Sequence, residues 1–489
     1  MVEHLEPEPF WAHFTQLTKI ARPSRHEEPV IAHVTAWAAE RGLRLRSDST
    51  RNLVIDVPAT PGREDAPMVV LQGHLDMVCE RQPDSPNDPT EGRIELLRDG
   101  DWLTADGTTL GADDGVAIAA MMALVEDEQA PHGPLQLLMT VAEEVGLEGA
   151  NGLDGSLLDG KILVNLDSEE DRKLTVGCAG STDSWVRAPA SRAPLDPSSV
   201  ALSVTAEGGL GGHSGMQIQL GRANAIKYLG RALREVGAQV PLRLASLDGG
   251  KSRNAIPRDA TAVIAVAAGD AERVRELLAQ SEATIRDEYA KTDPDVSLVA
   301  ADSEPPADAW TAAATDELLD VVALIPTGPL ALSPDFDGLV ETSTSLGEAI
   351  TEGDVLTLHS LTRSSNDAAM PGVLGTLEAA ARRAGGEVEF KHNYGGWRPN
   401  LDSPALAALR VAYDRSFDDT PIVTAVHAGL ETAVIGDKVA NLDMISFGPQ
   451  IESPHSPDER VSIPTVERFW TLLVGFVDEL SQPTNGHAR

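Results

Sequence analysis

Five widely spaced residues carry side chains suited to a divalent metal: His74, Asp113, Glu144, Asp167 and His455. Imidazole and carboxylate together suit zinc, manganese or cobalt, and a carboxylate can bridge two cations where a neutral imidazole cannot. Four apolar runs lead into these groups: Leu71-Gln72-Gly73-His74, Thr140-Val141-Ala142-Glu143-Glu144, Val164-Asn165-Leu166-Asp167, and Ile445-Ser446-Phe447, whose loop carries His455. Asp113 stands apart, in Gly111-Ala112-Asp113-Asp114-Gly115 just before a helix. A single carboxylate at a strand end reads most simply as a cap or turn residue. Several such ends on one sheet share an edge, so separated segments can converge without any local HExxH spacing.

Two further residues gain roles from this pattern. In His74-Leu75-Asp76, alternate residues of an extended strand share a face, so Asp76 can reach the ring nitrogen that His74 does not give to metal. At the end of the next strand, Glu144 can bind while Glu143 faces the bound water, which makes Glu143 the candidate general base. Two cations about 3.5–4 Å apart lower the pKa of a shared water and polarise a carbonyl. The chemistry expected is hydrolysis.

The elements that must position these residues follow from periodicity. Two helices precede the first strand, separated near Arg22-Pro23-Ser24. Strands are expected over 52–57, 68–73, 135–141 and 161–166, and a helix over 112–127. The alternation argues an α/β fold with a mixed, largely parallel central sheet flanked by helices. From about Ser184 to Glu389 the texture changes, with amphipathic helices such as Ala223 to Val236 and Ala271 to Tyr289. The earlier pattern then returns, with a strand around 441–447 and a last helix over 464–480. An inserted α+β domain accounts for that return.

Composition sets the outer limits. The 489 residues exceed one ordinary core, and 39 basic against 76 acidic residues give a formal charge of −37, which disfavours nucleic acid and anionic membrane surfaces. No apolar run approaches the length of a membrane span. The acidic start, MVEHLEPEPFW, lacks the pattern of a secretory signal, and two cysteines, Cys79 and Cys178, suit a reducing compartment, so a cytoplasmic location is expected.

The motifs resemble the M20 metallopeptidases, within them the aminoacyl-histidine or cytosol non-specific dipeptidases. The stretches that carry the resemblance are Gln72-Gly73-His74-Leu75-Asp76-Met77-Val78, Thr108 to Gly115, Ala142-Glu143-Glu144-Val145-Gly146, Gly211-Gly212-His213-Ser214-Gly215, Arg253 to Arg258, His427-Ala428-Gly429-Leu430-Glu431 and Pro454 to Arg460. The resemblance implies a catalytic domain over residues 1–184 and 398–489 and an inserted lid over 185–397 that can mediate a homodimer. It implies two divalent ions, zinc foremost with manganese or cobalt as alternatives. Asp113 would bridge them, with His74 and Asp167 at one ion and Glu144 and His455 at the other. Glu143 would be the base, and Asp76 would orient His74. In the lid, His213 would reach a scissile-bond oxygen, sometimes from a partner subunit, while Asn254 and Arg363 would hold the carboxylate of a small peptide. Two positions depart from the family pattern: Asp114 stands where asparagine is common, and Glu431-Thr432-Ala433 where Glu-Cys-Gly is expected.

Three other readings compete with a dipeptidase of Xaa-His or broader range. An amidohydrolase acting on N-acyl or N-carbamoyl amino acids would use the same centre and the same Arg363. A serine hydrolase would need a G-x-S-x-G elbow, and Met216 stands where its last glycine belongs. A non-catalytic relative would have lost Glu143 or a ligand, and this chain keeps them all.

Overall fold

A computed structural model of the chain describes residues 4–482, so the first three residues of the acidic start and the end beyond 482 lie outside it. The chain divides into two compact units. One runs through Gly177 and resumes over Trp397–Ala425 and from Leu430; the other comprises Cys178–Gly396 and Val426–Gly429.

The first unit is built on an eight-stranded sheet. Its order is Arg44–Ser47, Leu53–Val57, Leu135–Thr140, Val69–His74, Ile162–Asn165, Asp443–Ser446, Lys173–Cys178 and Ile422–Val426. Strands Leu135–Thr140, Val69–His74, Ile162–Asn165 and Asp443–Ser446 run parallel. Their neighbours Leu53–Val57 and Lys173–Cys178 are antiparallel to them, which makes the sheet mixed with a parallel centre. Val69–His74 and Leu135–Thr140 are buried along their whole length, as strands covered on both faces must be. Helix Glu8–Leu17 buries Phe10, Phe14 and Leu17, spaced four and three residues apart on one face, and helix Glu28–Glu40 follows after the loop that holds Arg22. Helix Ile463–Ser481 closes the described part of the chain.

One element differs from its sequence expectation. Helix Ala112–Glu126 does not start regularly, because Asp113 and Asp114 adopt non-helical backbone angles and the peptide between them is cis. Their groups are engaged elsewhere: the Asp113 N–H points to Glu459, and Asp114 accepts from the His74 N–H. Tertiary contacts override local propensity here.

The second unit is an antiparallel sheet covered by helices. Its strand order is Ser297–Ser303, Ser199–Glu207, Ala260–Ala267, Arg243–Gly249, Val340–Glu352, Val355–Ser364, Gly180–Pro189 and Glu387–Tyr394, with Gly328–Leu332 added along Val340–Glu352. Helix Ala225–Gly237 contributes Ile226, Leu229 and Leu233 to its core, which also takes in Leu277, Leu318 and Leu377 from three further helices. Among the described residues no helix is long and apolar enough to cross a membrane, and no disulfide joins Cys79 to Cys178.

Candidate metal centre

The parallel centre of the sheet delivers its side chains at one edge. His74 is the last residue of its strand, Glu143 and Glu144 follow Leu135–Thr140, and Asp167 follows Ile162–Asn165. His455 lies not directly after Asp443–Ser446, as the sequence suggested, but in the turn between the short paired strands Ile451–Glu452 and Arg460–Ser462, and Asp113 comes from the start of its helix. Carboxyl ends of parallel strands are where ligand sites form in such sheets.

Asp113 lies between the two histidines. Its Oδ1 is 2.9 Å from His74 Nε2 and its Oδ2 is 3.0 Å from His455 Nε2. Asp167 Oδ1 is 3.8 Å from His74 Nε2, and Glu144 Oε2 is 2.9 Å from His455 Nε2. Donors spaced about 2.1 Å from a tetrahedral ion lie about 3.4 Å from one another. The separations bracket that edge. Ligand atoms of His74, Asp113 and Glu144, and those of His74, Asp114 and Asp167, each cluster tightly enough to hold an ion. Glu144 Oε1 is buried with no hydrogen-bond partner among the described residues, which fits an oxygen meant for a cation.

The electrostatics say the same. Hydrogen bonds to Asp113 and Glu144 push His455 up to about 11. Although burial opposes its charge, His74 is also raised well above the ordinary range, by Asp113 and Asp76. Asp113 is held far below the usual carboxylate range by His455 and His74, against the burial that favours its neutral form. Burial and neighbouring acids push Asp114, Glu143 and Asp167 well up, and Glu169, beside Asp113, to about 8. So many carboxyl groups around two histidines call for added positive charge.

Asp76 touches more than the His74 ring. His74 Nδ1 lies 3.1 Å from the Asp76 carbonyl and 3.4 Å from its Oδ1. The same carboxylate accepts from the backbone N–H of Glu143 at 3.0 Å, from that of Glu144 at 3.2 Å and from the Ser24 hydroxyl at 2.8 Å. These contacts bring Asp76 down to about 2 in spite of its burial. Buried Glu27 holds the preceding turn by accepting from Ala142 N–H at 3.0 Å, where Ala142 takes a left-handed φ of 50°.

Three buried residues around the centre escape sequence reasoning. Arg22 donates to the carbonyls of Leu75, Asp76 and Gly111. Glu459 accepts from four consecutive backbone N–H groups, those of Leu110 to Asp113. Burial pushes Glu459 up to about 7, although those amides favour its charged form. Glu431, the first residue of helix Glu431–Lys438, accepts from Gln72 at 2.6 Å and Thr140 at 2.7 Å, which lie on the strands ending beside His74. Only the position of Glu459 and Glu431 inside family-like motifs could have flagged them.

The second unit gathers its own polar group. A Cβ at Gly215 would meet the His427 carbonyl, with Arg363 Nε at 2.9 Å and His213 Cε1 at 3.1 Å, so these three residues crowd around one glycine. His213 pairs with Ala255 next to Asn254, whose carbonyl accepts from Ser214 N–H at 2.8 Å. His213 Nδ1 accepts from the N–H groups of Gly215 and Met216, which leaves Nε2 as the protonated, donating nitrogen. Burial and Arg363 lower His213 to about 4, so its ring is neutral near pH 7. Arg363 Nε and His427 Nδ1 are buried without a hydrogen-bond partner among the described residues. His427 lies outside the substrate set that the sequence suggests, although it stands in a family-like motif.

A parallel-centred α/β unit with histidines and carboxylates at the carboxyl edge, interrupted in the sequence by an antiparallel unit, suits metal-assisted hydrolysis. Residues 70–479 match peptidase family M20/M25/M40, and the chain belongs to that family. It is 37% identical to the cytosol non-specific dipeptidase of Escherichia coli over 98% of this chain and 99% of that protein. The crystal structure of aminoacylhistidine dipeptidase from Vibrio alginolyticus superposes with a TM-score of 0.90 at 37% identity, covering 98% of each chain. An aminopeptidase from Bacillus cereus shares the fold at 16% identity and a TM-score of 0.58, over 98% of this chain and all of that one.

Proposed function

We propose that the chain is a metal-dependent dipeptidase, acting on Xaa-His and related small peptides at a centre for two divalent cations. The observation that carries this reading is Asp113, whose two carboxylate oxygens face His74 and His455 separately. Asp113 would be shared between the two cations, with His74 and Asp167 available to one and Glu144 and His455 to the other. Zinc is the cation the imidazole and carboxylate set suits first, with manganese or cobalt accommodated by the same donors. Bound there, the cations would lower the pKa of a shared water and polarise the scissile carbonyl.

The chain's own residues do the rest. Glu143, ligating nothing, takes the water's proton and delivers it to the leaving amine. Asp76 fixes the His74 ring and both glutamate backbones. In the second unit, the lid of this reading, His213 Nε2–H is the donor for the developing oxyanion, and Arg363 with Asn254 takes the peptide's carboxylate. We place the enzyme in the cytoplasm, as the name of the Escherichia coli relative suggests. We also propose a homodimer through the second unit. Strand Gly328–Leu332 packs beside Ile218–Leu220, and Met216, Leu220, Leu330 and Leu332 are 44–62% exposed there, an apolar edge suited to a second copy.

Chelation followed by reconstitution tests the reading. Ala-His cleavage should vanish on chelation and return with zinc, manganese or cobalt, while N-acetyl amino acids should remain poor substrates. Preferential cleavage of N-acetyl amino acids would select the amidohydrolase reading instead.

A further inference from the structure

The geometry points to Glu459 as a positioning residue that ties the His455 loop to the Asp113 segment of the centre before any cation arrives. This rests on the proposed metal centre. Glu459 is 2% exposed, and its carboxylate is filled by one run of backbone. Oε2 accepts from Leu110 N–H at 2.7 Å and Gly111 N–H at 2.9 Å; Oε1 accepts from Ala112 N–H at 2.7 Å and Asp113 N–H at 3.3 Å. Four successive amides around one anion form a nest, and the turn depends on Gly111 at a φ of 71°. The last amide belongs to the bridging aspartate itself.

Glu459 is also fixed at its main chain. Its N–H donates to Ser456 O at 3.0 Å, and its carbonyl accepts from the Thr104 hydroxyl at 2.7 Å. Strand Arg460–Ser462, which begins at the next residue, pairs with Trp102–Ala105. The loop behind Glu459 carries His455, four residues earlier. One carboxylate therefore joins the segment that supplies a terminal ligand to the segment that supplies the bridge. Arg22 completes the clamp by binding the Gly111 carbonyl on one side and those of Leu75 and Asp76, next to His74, on the other.

The physical consequence concerns affinity. If both loops had to be ordered by the cation, their ordering entropy would be subtracted from its binding. With the nest occupied by Glu459, Asp113 and His455 are already in place. A glutamine at 459 keeps the shape but replaces one acceptor oxygen with an N–H2 that faces two N–H donors, so half the nest is repelled.

The test uses the full chain, stripped by chelator and titrated with cobalt or zinc against a chromophoric competitor. Partners behind metal ligands typically contribute 10- to 100-fold in affinity, so Glu459→Gln should weaken at least one of the two binding steps by about that factor. Its cobalt absorption spectrum should change, and its cation-free melting profile should remain cooperative. Glu459→Asp, which keeps the charge on a shorter arm, should fall between Gln and wild type, and serves alone if the Gln variant does not fold. Asp458→Asn, at the exposed neighbouring position, should leave affinity unchanged. Wild-type affinity and an unaltered cobalt spectrum in the position-459 variants would overturn the inference. A wild-type chain that binds no cation would instead overturn the metal-centre reading, and this inference with it.

Discussion

The adjacent pair Glu143 and Glu144 shows how two identical side chains take different tasks. Glu144 Oε2 meets His455, whereas burial and the charges of Glu431 and Glu144 raise Glu143 well above the usual carboxyl range, opposed by His74. A base needs an affinity for protons near the working pH, and burial shifts Glu143 in that direction. Glu143→Gln should therefore keep both cations and lower kcat by at least about 100-fold, as removal of a general base does; metal analysis beside steady-state kinetics checks both halves. The histidines make a second prediction. Hydrogen bonds to Asp113 and Glu144 push His455 up to about 11, and against its burial His74 is raised by Asp113 and Asp76, so both rings favour protons that a metal must displace. Cation affinity should rise with pH across neutrality, and calorimetry in buffers of different ionisation enthalpy should detect proton release.

At the scale of elements, convergence was legible and clamping was not. The apolar strands ending in His74, Glu143-Glu144 and Asp167 could be read from the sequence because a sheet brings strand ends to one edge, and the observed strands end within a few residues of the expected positions. The irregular start of helix Ala112–Glu126 was not legible, since periodicity sees the apolar face and not a distant carboxylate. Arg22 and Glu459 were missed for the same reason: their partners are backbone groups, which leave no mark on residue type. In the second unit, buried Gly215 is the position on which this packing depends. A Cβ there would press on the His427 carbonyl and Arg363 Nε, so Gly215→Ala should displace the guanidinium and raise KM several-fold. Because the nearest atom is the His427 backbone carbonyl, the melting temperature should fall as well, and an unaltered KM would argue that Arg363 does not hold the substrate.

Over the whole molecule, the charge of −37 and the apolar edge of the second unit make separate claims. Strong negative charge opposes binding to polyanions, and nothing in the site explains its size. The edge at Leu330 and Leu332 predicts association instead. Sedimentation of the purified chain should show a dimer, and Leu332→Glu, placing a charge on the 62% exposed position, should shift it to monomer. The chemistry of this account stands or falls in the first unit. Anomalous diffraction from crystals grown with zinc examines that most directly. The account predicts two peaks about 3.5–4 Å apart, sharing Asp113, one beside His74 and Asp167 and the other beside Glu144 and His455. A single peak away from Asp113, or none, would contradict it.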